Sequence, residues 1–155
     1  MARLLSEIKQ RKPFESPEHE AYLNLVRTAS ALMRREAELL KAYELTPAQF
    51  NVLRILRGAG AEGLICREIG ERMLAYDPDV TKLLDRLEAR GFVTRERKAE
   101  DRRAVVARIS PEGSRTLQAV DKPMLDLVVG LLGHLGAGRL KTLSTLLEAA
   151  REKAA

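Results

Sequence analysis

One short stretch of the sequence carries side chains that suit contact with a nucleic acid. Within residues 77–103, Thr81, Lys82 and Arg86 lie on the outward face of a predicted helix. A hydroxyl or an ammonium group early on such a helix can hydrogen-bond to base edges in a major groove. We therefore interpret Thr81 and Lys82 as base-edge or near-backbone contacts, and Arg86, one turn further on, as a phosphate contact.

The helix that positions these side chains is predicted from its apolar spacing and its two ends. Its apolar residues recur at i, i+3, i+4 and i+7, as on one buried helical face, and are Val80, Leu83, Leu84 and Leu87. Asp77 before Pro78 is typical of a capped start, since proline has no N–H to lose in the first turn. Gly91 is typical of a helix end, because glycine adopts left-handed dihedrals without strain. The sequence therefore predicts a helix over residues 78–90.

A second short helix is predicted immediately before this one. Residues 66–75 have helical apolar spacing, with Met73 and Leu74 predicted to face inward and Cys66 at the position of a helix cap. A tight connection separates the two helices. Two short helices in tandem are typical of a helix-turn-helix, in which the second helix reads DNA.

A β-hairpin is predicted after the second helix. Residues 92–97 and 104–109 have the alternating, β-branched character of paired strands, and 98–103 form the loop between them. Residues 86–108 contain eight basic and four acidic side chains, so they hold +4 of the chain's net charge of +5. Positive charge concentrated in this way indicates contact with phosphates. The region is predicted to be a winged helix-turn-helix.

Long leucine-lined helices are predicted on both sides of this basic centre. The first starts at Ser16-Pro17 and runs to about residue 43, which is too long for one small domain to cover. Packing against a second subunit is our preferred explanation over a purely intrachain role. Another helix starts at Ser110, after the hairpin, and Pro123 either kinks it or breaks it.

The fold class predicted from these elements is mainly α with a small β-hairpin wing. We divide the chain into an N-terminal arm and first dimerisation helix at 1–45, a winged helix-turn-helix DNA-binding domain at 46–110, and C-terminal dimerisation helices at 111–155. The three parts are expected to form one intertwined globular unit in a homodimer.

Composition and motifs argue against several other classes of protein. One cysteine in 155 residues permits no internal disulfide, the N-terminus does not resemble a signal peptide, and no apolar run is long enough to span a membrane. We therefore expect a cytoplasmic protein. His19 and His134 are isolated, and neither metal-ligand spacing nor a nucleotide-binding or hydrolase motif is present. We expect no metal, no cofactor and no enzymatic activity.

Two alternative functions remain open from the residues alone. A winged helix can bind a protein, so the basic face could dock on an acidic partner instead of DNA. Cys66 is the only thiol, and a helix N-terminus favours the thiolate, so a redox-sensing regulator is chemically possible. The arginines and the polar outward face favour double-stranded DNA, and a capping or packed role is the simpler interpretation of Cys66.

Three motifs, in this order and spacing, are together specific for one family. They are LTPAQFNVLRIL at 45–56, DVTKLLDRLEARGFVTRE at 79–96, and DRRAVVARIS at 101–110 followed by Pro-Glu-Gly. Over roughly residues 14–153 the sequence resembles the MarR family of bacterial transcription regulators. The resemblance implies a homodimer that binds a pseudo-palindromic operator, with repression as the expected output. It also implies release of the DNA by a small molecule or an oxidant.

The resemblance assigns roles to basic residues of the hairpin loop. Arg103 matches the family's wing arginine, which enters the narrow minor groove where the negative potential is greatest. Arg102 and Lys98 are expected to contact phosphates. The wing is therefore expected to grip the DNA backbone beside the groove that the second helix reads.

Acidic residues in this region need a separate explanation, since carboxylates near phosphates weaken DNA binding. Asp101 matches the acidic residue of the wing signature, and we expect it to pair with Arg86 or Arg95 and hold the wing in shape. Asp77 and Asp79 stand where many relatives carry Ser, Thr or Pro. We interpret Asp77 as a helix cap, whereas Asp79 either caps the helix as well or accepts a hydrogen bond from a cytosine amine.

A ligand pocket is implied by the resemblance only. It would lie between the first long helix, the helix at 47–57 and the winged helix, lined by Tyr22, Met33 and Phe50. Apolar residues at helical spacing are also typical of plain core. The expected ligand is a small aromatic molecule.

Overall fold

The computed structural model describes residues 3–97 and 105–153, which form seven α-helices and one small sheet. The helices are α1 Arg3–Glu7, α2 Pro17–Leu40, α3 Pro47–Ala59, α4 Cys66–Arg72, α5 Val80–Ala89, α6 Pro111–Leu132 and α7 Gly136–Arg151. The strands are β1 Leu64–Ile65, β2 Val93–Arg97 and β3 Val105–Ile109. Within the described ranges, no helix is long and apolar enough to cross a membrane. The predicted fold class, mainly α with a small β-hairpin wing, is confirmed.

Both α2 and α3 begin at a hydroxyl side chain followed by proline, and α2 does so at the predicted Ser16-Pro17. At α2, the Ser16 hydroxyl accepts the His19 N–H at 3.2 Å. At α3, the Thr46 hydroxyl accepts the Gln49 N–H at 3.2 Å, and the Gln49 side chain accepts the Thr46 N–H at 3.0 Å. Each bond satisfies a backbone donor that has no partner inside the helix.

Ser110 starts α6 in the same way and also joins three elements at the base of the hairpin. Its hydroxyl donates to the Gly91 carbonyl at 2.6 Å and accepts the Gly113 N–H at 3.0 Å. Its own N–H donates to the Phe92 carbonyl at 2.9 Å. From this joint α6 runs unbroken through Pro123, so the alternative in which proline breaks the helix is wrong.

The second short helix begins later than predicted. α5 starts at Val80, and its N-cap is Asp79, whose Oδ1 accepts the Lys82 N–H at 3.1 Å. Asp77 instead accepts the Asp79 N–H at 2.9 Å, which closes a turn before the helix. The capping role predicted for Asp77 therefore belongs to Asp79, and Pro78 lies outside the helix.

The first short helix ends earlier than predicted. α4 stops at Arg72, and Leu74 and Tyr76 are 85% and 91% exposed, so the inward orientation predicted for Leu74 is wrong. The Leu74 N–H donates to the Asn51 side chain at 2.8 Å, which takes this segment out of helical hydrogen bonding. Cys66 is the first residue of α4 and not its cap.

The three strands form an antiparallel sheet in the order β1, β3, β2. In the hairpin, Val93 lies opposite Ile109 and Arg97 lies opposite Val105. β2 begins one residue later than predicted, and Phe92 is buried in the core just before it. β1 attaches the hairpin to the end of α3 through β3.

The hydrophobic core lies between α3, the helix-turn-helix, the hairpin and the first half of α6. Its largest fully buried side chains are Leu40, Val52, Leu53, Leu56, Ile69, Leu87, Val93, Leu117 and Val120. All four apolar residues predicted on the inner face of α5 are buried. By contrast, α7 contributes no buried residue. The core therefore supports α5 from behind and leaves its opposite face in solvent.

Candidate nucleic-acid interface

The exposed face of α5 carries the residues predicted to contact DNA. Thr81, Lys82 and Arg86 are all exposed, because the apolar residues between them hold the other face against the core. Lys82 and Arg86 lie one turn apart, so their cationic groups can reach different phosphates or base edges. A polar helix face backed by a packed core has the shape and chemistry of a major-groove reading element.

Lys82 is held by the N-cap of its own helix. Its Nζ lies 2.5 Å from Asp79 Oδ2, while Oδ1 of the same carboxylate caps the helix. The hydrogen bond from Lys82 lowers the pKa of the Asp79 carboxyl, and the same contact raises the pKa of the Lys82 ammonium. The pair is therefore charged at neutral pH, and both side chains remain open to solvent.

Thr81 contacts the first helix of the helix-turn-helix. Its hydroxyl lies 3.5 Å from the sulfur of Cys66, the first residue of α4. Cys66 is half-buried and packs against the hydrophobic core. The Thr81 hydroxyl thus contacts Cys66, while the side chain remains exposed to solvent.

Arg95 ties the hairpin to α5. From β2, its guanidinium donates to Glu88 at 2.6 and 2.9 Å and lies 2.7 Å from Asp85. The bond to Glu88, followed by that to Asp85, raises the pKa of Arg95. The sequence did not predict these partners, although two carboxylates three residues apart on a helix can flank one arginine of the following strand. The bridge fixes the orientation of the wing relative to the reading helix.

Arg108 anchors the other side of the hairpin. It donates to the Ala61 carbonyl at 2.7 Å and to Glu96 at 3.0 Å. Beside it, Gly63 has φ +65° and lies against β3 so closely that a β-carbon would collide with the Ala107 carbonyl. The hairpin is thus fastened to α5 on one side and to the segment before β1 on the other.

A cavity of about 200 Å³ lies between α2, α3 and α6. Its lining residues are Leu32, Met33, Glu36, Phe50, Arg54, Met124, Leu127, Val128, Leu131 and Leu132. Of the predicted pocket residues, Met33 and Phe50 are in this lining, whereas Tyr22 is not and is 63% exposed. Burial raises the pKa of the Glu36 carboxyl, and the charge of Arg54 opposes that shift only in part. Glu36 and Arg54 were not predicted as pocket residues, because they lie on separate helices, α2 and α3, and only the packing of these helices places both in one cavity.

Comparison with known proteins agrees with this geometry. A family model described as MarR matches residues 45–105. The helix-turn-helix transcriptional regulator YkoM of Bacillus subtilis is 31% identical over 114 residues, which are 71% of this chain and 73% of YkoM. A MarR transcription factor from Planctomyces limnophilus is 38% identical with a TM-score of 0.69, over 88% of this chain and 99% of that one. This chain belongs to the MarR family.

The MarR assignment makes the chain a DNA-binding transcriptional regulator. The matched segment begins at the end of the turn after α2 and contains α3, β1, α4, α5 and β2. The crystal structure of the S. aureus MepR–DNA complex is similar in fold, with a TM-score of 0.77 and 20% identity over 85% of this chain and 97% of MepR. At that identity the likeness concerns the fold alone.

The remaining predicted contacts of this MarR protein fall in the hairpin loop. Lys98, Asp101, Arg102 and Arg103 lie outside the residues that the structure describes. The pairing predicted between Asp101 and Arg86 or Arg95 therefore stays a prediction. What the geometry adds is the bridge from β2 to α5, which is made by carboxylates of the helix.

Proposed function

We propose that this MarR protein is a repressor that binds a pseudo-palindromic operator as a homodimer. The observation that carries the proposal is the exposed polar face of α5, supported by a buried apolar face and bridged to the wing. Its first residues would enter the major groove, with Thr81 and Lys82 at base edges and Arg86 at a phosphate. The family resemblance adds Arg103 in the minor groove and Lys98 and Arg102 at phosphates.

A second subunit is supported by the apolar surface of the terminal helices. Large apolar side chains of α2, α6 and α7 are exposed in the single chain, and they include Tyr22, Val26, Met33, Leu125, Val129 and Leu146. Soluble monomers rarely expose so many large apolar side chains, so we infer that a second subunit covers them. A homodimer would place its two copies of α5 about one DNA turn apart, with roughly 10 base pairs between half-site centres.

The proposal is tested by a gel shift on DNA from upstream of the protein's own gene, together with a footprint. Binding should weaken as salt rises, with a slope near −0.9 per phosphate neutralised, because phosphate contacts release counterions. Sedimentation should give twice the mass of the chain. A monomer that binds no DNA at about 50 mM salt would contradict the proposal.

Replacement of Lys82 by alanine should weaken operator binding by about 1–3 kcal/mol and alter sequence preference, if the ammonium contacts a base. Thr81→Ala should have a smaller effect of the same kind. The matched control is Lys122→Ala, which removes an equal charge from a surface pair with Asp126 on α6. If Lys82→Ala weakened all sequences alike, Lys82 would be a backbone contact.

We further propose that a small aromatic acid binds the cavity and releases the DNA. Met33 and Phe50 supply apolar walls, and Arg54, whose guanidinium carbon lies 5.8 Å from the Phe50 ring centre, supplies a charge for a carboxylate. Glu36 lines the same cavity and would repel that carboxylate when ionised. Protonation of Glu36 would remove this repulsion, so ligand affinity should depend on pH.

Benzoate and hydroxylated benzoates should therefore bind more tightly as pH falls. Because the pKa of Glu36 is raised by burial, its repulsion is lost at a higher pH than for an ordinary carboxyl. Calorimetric titrations at several pH values between about 5 and 8 measure the effect, and Glu36→Gln should abolish it. Arg54→Met should remove acid binding while operator binding persists. A pH dependence that survives in Glu36→Gln would contradict this role.

A further inference from the structure

The residues that lead into α5 carry negative charge where a helix that enters DNA would gain from positive charge. Asp77 and Asp79 both lie at this end, and phosphates would repel them. Asp77 is half-buried and closes the turn by accepting the Asp79 N–H, so its role is structural. The carboxylate of Asp79 is different, because one of its oxygens caps the helix while the other faces the side chain of Lys82.

The second oxygen of Asp79 lies beside a cation on the outward face. Its Oδ2 is 2.5 Å from Lys82 Nζ, and the side chains are 39% and 71% exposed. An acceptor and a donor therefore stand next to each other, held by the same helical turn. Since the backbone bond to Oδ1 fixes the carboxylate, this arrangement is set before any DNA arrives.

A C·G base pair presents the complementary pattern in the major groove. Cytosine N4 is a donor, and guanine O6 and N7 are acceptors. N4 and O6 are hydrogen-bonded to each other at about 2.9 Å, which is close to the spacing of the two side-chain atoms. An adenine–thymine pair also offers a donor, adenine N6, beside an acceptor. Its two acceptors, adenine N7 and thymine O4, lie on either side of that donor, and thymine adds a methyl group.

We propose that Asp79 and Lys82 together read one C·G base pair in each half of the operator. Asp79 accepts a hydrogen bond from cytosine N4, and Lys82 donates to guanine O6 or N7. The inference rests on the proposed DNA-binding function and specifies its sequence preference. Asp79 also lowers affinity for sequences that place guanine or thymine opposite it, because those bases offer its carboxylate only acceptors. It thus acts as a specificity-determining residue.

The test is selection from a library of random duplexes by the full-length protein and two variants. Asp79→Ser keeps a good helix cap but is too short to reach a base. Asp77→Ser is the matched control, because it removes the same charge from the same turn. The wild type and Asp77→Ser should select C·G at one position of each half-site, with about a 10- to 100-fold preference. Asp79→Ser should lose that preference and bind unselected DNA more tightly.

A synthetic operator with N4-methylcytosine at the selected position separates the contact from a general charge effect. The methyl group preserves Watson–Crick pairing and replaces the N–H that faces the major groove. Wild-type affinity should fall about 10-fold or more, whereas Asp79→Ser should be unaffected. Equal selection by wild type and Asp79→Ser would overturn the inference. Failure of the wild type to select any sequence would instead overturn the proposed function.

Discussion

Gly63→Ala should strongly destabilise the protein. Gly63 has φ +65° and ψ −171°, a conformation that costs a side-chain-bearing residue about 1–3 kcal/mol. The new β-carbon would also collide with the Ala107 carbonyl and lie within 2.8 Å of side-chain atoms of Val106 and Arg108. Overpacking of this kind adds roughly another 1–3 kcal/mol. The sum is a large part of the usual stability of about 5–15 kcal/mol.

Thermal and urea unfolding measure this effect, and Gly60→Ala provides the matched control. Gly60 also has φ +65°, but a β-carbon added there would have no atom within 4 Å, so this variant should show the backbone cost alone. The difference between the two variants therefore reports the close approach of the chain to β3. Equal losses of unfolding free energy in the two variants would show that the close approach of Gly63 to β3 does not contribute to the effect.

Arg95→Ala should weaken operator binding about 10-fold or more, which corresponds to on the order of 1.4 kcal/mol or more. The substitution frees Asp85 and Glu88 on α5, so two unpaired carboxylates would remain near the DNA. It also removes the bridge that fixes the wing on the reading helix. Folding stability should fall by a smaller amount, because both carboxylates can be solvated once they are released.

Arg57→Ala separates the wing effect from the loss of an arginine pair in general. Arg57 donates to both oxygens of Asp121 at 2.7 and 2.9 Å, and it joins α3 to α6 away from the hairpin. This variant should lose stability while operator affinity, measured below its melting temperature, stays near that of the wild type. If Arg57→Ala weakened binding as much as Arg95→Ala did, the bridge would have no special role in DNA contact.

Local patterns predicted most of the helical framework correctly. The inner face of α5 and the starts of α2, α3 and α6 follow from spacing and capping chemistry, which depend on neighbours within four residues. The positions of the hairpin strands followed from their alternating character to within one residue for β2. Such features are readable because the responsible atoms are close in sequence.

The errors lie where a distant or competing partner decides the conformation. Asp77 and Asp79 are equally good caps by type, and the Asx-like turn closed by Asp77 leaves the cap to Asp79. Leu74 has the right spacing to face inward, but the side chain of Asn51, 23 residues earlier, takes its N–H. No periodicity argument contains that information.

In the candidate site, too, some features could be predicted from the sequence and others could not. Exposure of Thr81, Lys82 and Arg86 follows from the helix that carries them, so their place on one face was predictable. The partners of Arg95 and the charged lining of the cavity depend on how separate elements pack. Sequence could name the residues of the reading helix but not the contacts that orient them.

The joint at Ser110 has a mechanical consequence for control of the regulator. Its hydroxyl and N–H connect the residues that follow α5 to the first turn of α6, and the far half of α6 lines the cavity. Independent displacement of the two helices would break these bonds, at about 0.5–1.5 kcal/mol each. In the ligand-controlled mechanism proposed above, an occupant that shifted α6 would therefore pull, through Ser110, on the residues that follow α5.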